Sequence, residues 1–235
     1  MHRHATWIAL CGAAAALSVS ATAWASPERV DELIKTTLQL DPNVERGSKL
    51  YRAHCASCHG TDASGNPDKL IPALAGQRRS YLIKQLADFA ELERAATEMH
   101  TVLAQKEVSE PQEWADLTAY LNGVQPLSKP QTGTGEWLSL GEASYRQWCA
   151  SCHAEDGRGD DDGFVPSLRN QHYSYLLRQM RELAHGHRFN VEADLVLFLD
   201  SLGADEMKGL ADYLSRMHGP IRDRTRMRDD GYVGD

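Results

Sequence analysis

The chain of 235 residues matches itself at an offset of 94 positions. This offset carries Tyr51 onto Tyr145, and it aligns two identical runs, Cys55-Ala56-Ser57-Cys58-His59 and Cys149-Ala150-Ser151-Cys152-His153. Past Tyr81 the offset falls to 93, so the second copy is one residue shorter in the intervening region. A repeat of this length is that of a whole small domain with its own core. The sequence therefore predicts a duplication of one domain.

The sequence composition predicts where the segments and domains of the chain begin and end. We predict a signal peptide at 1–25, a first domain at 26–124, a linker at 125–135, a second domain at 136–219 and a mobile charged tail at 220–235. Arg3 precedes an apolar stretch, and Ala23-Trp24-Ala25 forms a cleavage site, which would start the mature protein near Ser26. A membrane anchor is less favoured because the apolar stretch is too short for a bilayer. A lipid at Cys11 is less favoured because bulky Leu10 precedes it.

The local patterns within each copy are helical. One helix is expected from about Ser80 through Leu92, with its repeat from about Ser174. Ser109 followed by Gln112 has the pattern of a capping box at the start of another helix. No stretch alternates as a strand would, so we predict an all-α fold. The net charge of −8 favours partners with a basic docking face and argues against nucleic acid.

Both repeated runs have the spacing C-x-x-C-H, which is the attachment signature of c-type haem. Two thiols at this spacing can reach two vinyl groups on one porphyrin edge, and the next residue offers an imidazole to the iron. Disulfides, a redox-active thiol pair and a zinc site are the alternatives. Two copies in an exported helical chain favour two covalently bound haem c groups, with His59 and His153 as iron ligands.

At these residues the chain resembles the dihaem cytochrome c4 family, whose members are two class I cytochrome c domains in tandem. The motifs Leu74-Ala75-Gly76-Gln77 and Asp116-Leu117-Thr118-Ala119-Tyr120 carry the resemblance, together with the run from Tyr81 to Leu86. The resemblance implies that Pro72 and Pro166 offer their carbonyls to the ligand histidines, which would orient the imidazoles.

The resemblance also implies a function. Such proteins carry electrons in the periplasm between redox partners such as a terminal oxidase, a reductase or a dehydrogenase, and peripheral association with a membrane is compatible with that role. The alternative is a dihaem enzyme, or a cytochrome subunit of a dehydrogenase, in which the second haem acts on a small inorganic substrate.

A family member would supply a methionine as the sixth iron ligand in each half. Met99 lies in the expected loop of the first half and is its only methionine, whereas the neighbouring His100 is expected to point in a different direction. In the second half, Leu195 lies close to the ligand position, and leucine cannot bind iron. Either His187, with His185 as the alternative, replaces the missing ligand, or the second iron is open or bound to water.

The other methionines do not lie at the expected position of an iron ligand. Met180 and Met207 match core positions on helices, Met217 ends the last helix and Met227 lies in the tail.

Two further groups have open interpretations. Four matched side chains have three possible roles, which are contact with haem propionates, contact between the domains and plain helix packing. These residues are Tyr81, Gln85, Tyr175 and Gln179. The acidic run at 155–162 departs from the spacing of a calcium loop, so a solvated loop or a docking surface is favoured.

Overall fold

The computed structural model describes residues 27–104, 108–188 and 191–219. The predicted signal peptide with the expected start at Ser26, and the predicted tail with Met227, lie outside these residues.

Helices joined by loops build both halves of the described chain. The helices are α1 (Pro27–Leu38), α2 (Val44–Leu50), α3 (Ala56–His59), α4 (Arg79–Ala90), α5 (Thr97–Ala104), α6 (Pro111–Gly123), α7 (Leu138–Ser144), α8 (Ala150–His153), α9 (Tyr173–Ala184), α10 (Ala193–Ser201) and α11 (Ala204–Ser215). Extended pairing in the described residues is limited to isolated bridges. The all-α prediction is therefore confirmed, and none of the described helices is long and apolar enough to cross a membrane.

The start of α6 corrects one expectation. The capping box is formed by Glu110 and Glu113, one residue later than the predicted Ser109 and Gln112. Pro111 explains the shift, because a proline favours extended backbone in the residue before it and is well placed in the first helical turn. Glu110 has this extended conformation, with φ −97° and ψ 145°, and is therefore the residue that caps the helix.

A glycine allows two helices to cross closely in each domain. A Cβ at Gly47 of α2 would collide with the carbonyl oxygen of Asp116 on α6, and a Cβ at Gly141 of α7 would collide with that of Gly209 on α11. The short helix before each cysteine pair is thus packed directly against the last helix of its own domain. This crossing holds the cysteine segment at a fixed place in the domain.

Each domain has its own apolar core. Tyr51 and Trp114 are fully buried in the first core, and Tyr145 and Met207 are buried at the matching positions of the second. In the first domain α1 adds the buried side chain of Val30 and packs against α4. The burial of Met207 fits its assignment as a core residue.

Loops from both halves meet in a direct contact between the domains. The ring Nε2 of His172 donates to the carbonyl oxygen of Ser64 at 2.7 Å, while its Nδ1 accepts from the backbone of Gln131 at 3.1 Å. Arg78 forms an ion pair with Asp161 at 3.0 Å. The acidic run at 155–162 therefore takes part in the domain contact through Asp161, and the described residues contain no cluster of three or more potential metal-ligating side chains.

Candidate haem sites

The cysteine pair of each domain lies on one continuous helical segment. A π-helical turn, Tyr51–Cys55 in the first domain and Tyr145–Cys149 in the second, leads directly into α3 or α8. The first cysteine of each pair is half-buried and the second is exposed, and none of these four cysteines forms a disulfide. Each pair can therefore present two thiols on the same side of a helix beside the histidine that follows.

The two histidines are held in the same way. Nδ1 of His59 lies 3.1 Å from the carbonyl oxygen of Pro72, and Nδ1 of His153 lies 3.0 Å from that of Pro166. Because a carbonyl only accepts, Nδ1 carries the proton and Nε2 keeps its lone pair for a metal. Burial lowers the pKa of both imidazoles, which keeps them neutral near pH 7. The contacts predicted for Pro72 and Pro166 are confirmed.

The thiols are poorly suited to redox catalysis. Burial, reinforced by the neighbouring thiol of each pair, raises the pKa of Cys55 and of Cys149 to about 11. A redox-active C-x-x-C pair needs the opposite, a thiolate stabilised by a lowered pKa. The environment of the cysteines therefore does not support that alternative.

A buried tyrosine forms a hydrogen bond to the turn after each histidine. The hydroxyl of Tyr51 donates to the carbonyl oxygen of Gly60 at 2.5 Å, and that of Tyr145 donates to Ala154 at 2.5 Å. Each ring also packs against a tyrosine of the last helix, with centroids 5.6 Å apart. The repeat marks both tyrosines as matched residues, but only the structure reveals that they tie the histidine turn to the core.

Met99 lies in the first turn of α5, half-buried against the core of the first domain. The adjacent His100 is engaged elsewhere, since its Nε2 donates to the carbonyl oxygen of Arg94 at 2.8 Å and its ring meets the edge of Phe89. This contact occupies Nε2 of His100 within the first domain.

The second domain has a leucine in the place of Met99. Met99 is the third residue of α5, and Leu195 is the third residue of α10, where it packs half-buried against the second core. Met180 is buried in the same core, as predicted. Met217 lies against Gly157, in the loop that follows the second histidine.

The rings of His185 and His187 are both exposed, with their centroids 5.9 Å apart. His185 caps the end of α9, and the backbone of His187 donates to the carbonyl oxygen of Glu182 at 2.9 Å. Either ring would have to leave solvent to bind the iron of the second domain.

Gln85 and Gln179 lie in the contact between the domains, together with two arginines that the repeat also matches. Arg94 donates to Gln85 of its own domain, and to Gln179 and Tyr175 of the other at 2.7 Å and 3.0 Å. Arg188 reciprocates, donating to Gln179 at 3.2 Å and to Gln85 at 3.0 Å. Of the open interpretations for these side chains, the structure shows the domain contact.

The family model for cytochrome c matches residues 44–125 and 138–218, one copy over each domain. The chain belongs to the cytochrome c family.

Individual relatives place it among the dihaem cytochromes c4. It is 33% identical over 160 residues to cytochrome c4 of Thiocapsa roseopersicina, covering 64% of this chain and 78% of the relative. It is 30% identical over 199 residues to the thiosulfate dehydrogenase electron acceptor of Stutzerimonas stutzeri, covering 77% and 90%. The solved structure of reduced recombinant cytochrome c4 from Pseudomonas stutzeri superimposes with a TM-score of 0.66 at 26% identity, covering 76% of this chain and 100% of that one.

As a dihaem cytochrome of this type, the chain holds two covalently bound haem c groups and transfers electrons. The residues of both sites fit that cofactor, because each domain places two thiols at the attachment spacing beside a neutral, oriented imidazole. When bound, haem c supplies an iron that exchanges one electron at a time.

Arg79 offers a further feature that fits haem c. Its Nε and Nη2 atoms are buried and have no hydrogen-bond partner among the described residues. Burial lowers the pKa of this guanidinium, although the charge of Asp161 partly opposes the shift. A buried cation with unsatisfied donors is costly, and a carboxylate satisfies it. Haem c carries two propionate carboxylates, so Arg79 is suited to bind one of them.

Proposed function

We propose that the chain carries electrons in the periplasm, accepting them from one protein partner and delivering them to another. The predicted signal peptide and the similarity to cytochromes c4 support this role. A terminal oxidase, a reductase or a dehydrogenase with a basic docking face suits the net charge of −8. Electrons would enter at one haem, pass to the other and leave from there.

The observation that carries this proposal is that both haem sites border the same contact between domains. Ser64 and Pro67 follow His59 in the chain, and their carbonyls accept hydrogen bonds from His172 and Ser174 of the second domain. In reverse, Arg78 donates to the carbonyl oxygen of Arg158, which follows the second histidine, at 2.9 Å. The two centres are therefore held next to each other, as transfer between them requires.

The proposed iron ligands differ between the domains. His59 and Met99 would hold the first iron, and His153 would hold the second. Leu195 offers no donor atom at the position of Met99, so a thioether is not proposed for the second iron. The exposure of His187, and of its alternative His185, favours an open or water-bound iron over a second imidazole.

A second candidate function follows from the same asymmetry. An iron without a sixth protein ligand can bind a small molecule directly, and the first haem would then relay electrons to or from it. The chain would act as an enzyme or as the cytochrome subunit of a dehydrogenase. The likeness to a relative named for its role as a thiosulfate dehydrogenase electron acceptor makes this candidate specific enough to test.

Carbon monoxide and thiosulfate together distinguish the two candidates. Carbon monoxide is added to the dithionite-reduced dihaem protein, and the Soret band is followed over seconds. An open second iron binds it rapidly at one haem, and Met99→Ala supplies the control, because it opens the first iron as well and doubles the bound fraction. Thiosulfate is then added to the oxidised protein alone. Reduction of the haems by thiosulfate supports the second candidate, whereas a protein that stays oxidised supports the carrier.

A further inference from the structure

An exposed apolar surface lies beside the attachment cysteines of the second domain. We refer to Trp148, Leu197 and Phe198 as the Trp148 patch. Trp148 is 56% exposed and Leu197 is 68% exposed. The ring of Trp148 stacks on that of Phe198, with centroids 5.1 Å apart and planes 29° apart. Exposed apolar side chains that cluster in this way are typical of sites where another molecule binds.

The position of the patch connects it to the second haem. Trp148 directly precedes Cys149, and Cys152 of the same pair is exposed. A molecule that covers Trp148 therefore lies against the edge where the second haem is attached.

The described residues of the first domain, 27–104 and 108–124, present no matching surface. The repeat places His54 where the second domain has Trp148. When α5 and α10 are aligned from their first residues, Thr101 lies at the position of Leu197. A large apolar face at the attachment site is thus a property of the second domain only, so the two ends of the protein offer different surfaces to partners.

Two acidic side chains of α10 flank Leu197. Asp194 and Asp200 are exposed and lie three residues before and after Leu197, on the same face of α10. Residues 191–207 contain no lysine or arginine. The nearest basic side chain along the chain from Trp148 is Arg146, which is paired with Glu142 at 2.9 Å.

We propose that the Trp148 patch docks a redox protein whose contact face has an apolar centre and a rim of lysine or arginine, and that this protein exchanges electrons with the second haem. A tryptophan at the centre with charges at the rim is the usual composition of a protein interface. The carboxylates disfavour an anionic membrane, and they disfavour a second copy of this face, which would oppose like charges. This inference rests on the proposed electron carrier.

Film voltammetry of the holoprotein tests the proposal on an electrode that imitates such a partner. The electrode carries a mixed monolayer of methyl-terminated and ammonium-terminated thiols. The wave of the second haem is the one that Met99→Ala leaves unchanged. Leu197→Ser is expected to slow electron exchange at this wave about tenfold, as loss of a central apolar contact does. The potential should remain the same.

Leu92→Ser is the matched control, because Leu92 is 62% exposed but lies in the first domain. It should leave the rate at the second wave unchanged. The double variant Asp194→Asn, Asp200→Asn should also slow exchange, and it should reduce the dependence of the rate on salt. Wild-type rates in both Leu197→Ser and the double aspartate variant would overturn the docking site and leave the carrier intact.

The failure of the proposed function would look different. If the wild-type protein exchanged no electrons with this electrode or with soluble hexaammineruthenium, the carrier itself would be wrong and the docking site with it. Binding to anionic phospholipid vesicles, or self-association, that disappears in Leu197→Ser would also overturn the proposal, because the patch would then face a membrane or a second copy.

Discussion

Gln77 and Gln171 occupy the same position in the two domains, and each binds the backbone of the other domain with both ends of its amide. Gln77 donates to the carbonyl oxygen of Ser167 at 2.9 Å and accepts from its N–H at 2.8 Å. Gln171 does the same with Ala73, at 2.9 Å and 3.0 Å. All four groups are buried, so these contacts fix the two domains relative to each other.

The glutamine contacts also reach the iron ligands. Ala73 follows Pro72, whose carbonyl orients His59, and Ser167 follows Pro166, whose carbonyl orients His153. The backbone that holds each imidazole is therefore the backbone that the opposite domain binds. A change in the domain contact should therefore affect the backbone that orients the histidine at both haem sites.

Replacing Gln171 tests this contact. Gln171→Leu removes three buried hydrogen bonds, two to Ala73 and one from the N–H of His172, and leaves the N–H and carbonyl of Ala73 without partners. An unsatisfied buried group costs about 1–3 kcal/mol. We expect the midpoint of thermal unfolding to fall by roughly 5–10 °C, measured by circular dichroism of the holoprotein. Gln39→Leu, at an exposed position, is the control and should change the midpoint little. Equal midpoints for the two variants would contradict the role of the contact.

The attachment turns could be predicted from the sequence because their chemistry is local. The spacing of cysteines and histidine within five residues specifies the site, and the repeat doubles it. Helix starts are less certain, since a single proline at 111 moved the capping box by one residue.

The domain contact could not be predicted in the same way. Gln77 and Arg94 are polar residues in the loops before and after α4, and their partners lie 81 to 90 positions away along the chain. No local pattern distinguishes a glutamine that binds another domain from one that faces water. Arg79 and Trp148 escaped notice for a related reason, because the repeat pairs them with the different residues Tyr173 and His54.

Met99→Ala should remove the sulfur-to-iron absorption band at the far red end of the oxidised spectrum. It should also lower the potential of one haem only, because a thioether ligand favours ferrous iron. Optical redox titration measures both effects. Met207→Leu, which changes a buried methionine of the second domain, is the control and should retain the band. A band that survives Met99→Ala would show that Met99 only fills the core.

Arg79→Met should lower the potential of one haem, because removal of a nearby cation stabilises the ferric form, which carries the extra positive charge. Arg79→Lys should restore most of the potential, since it keeps the charge. Spectroelectrochemistry of the holoprotein gives both values. If neither potential moved in Arg79→Met, while the protein still carried two haems by intact mass, Arg79 would not bind a propionate.

The two haems should differ clearly in potential, with the haem attached at Cys149 and Cys152 the lower. The second iron lacks the thioether that favours its ferrous form, and the carboxylates of Asp194 and Asp200 on α10 favour the ferric form further. Low-temperature electron paramagnetic resonance of the oxidised protein identifies the ligands. Because His185 and His187 are exposed, we expect one low-spin His/Met signal and one high-spin signal, both unchanged in His185→Ala and in His187→Ala. A low-spin bis-histidine signal that one of these variants abolishes would instead name that histidine as the ligand. Two equal His/Met signals would contradict the asymmetry, because they would require a methionine where α10 has Leu195.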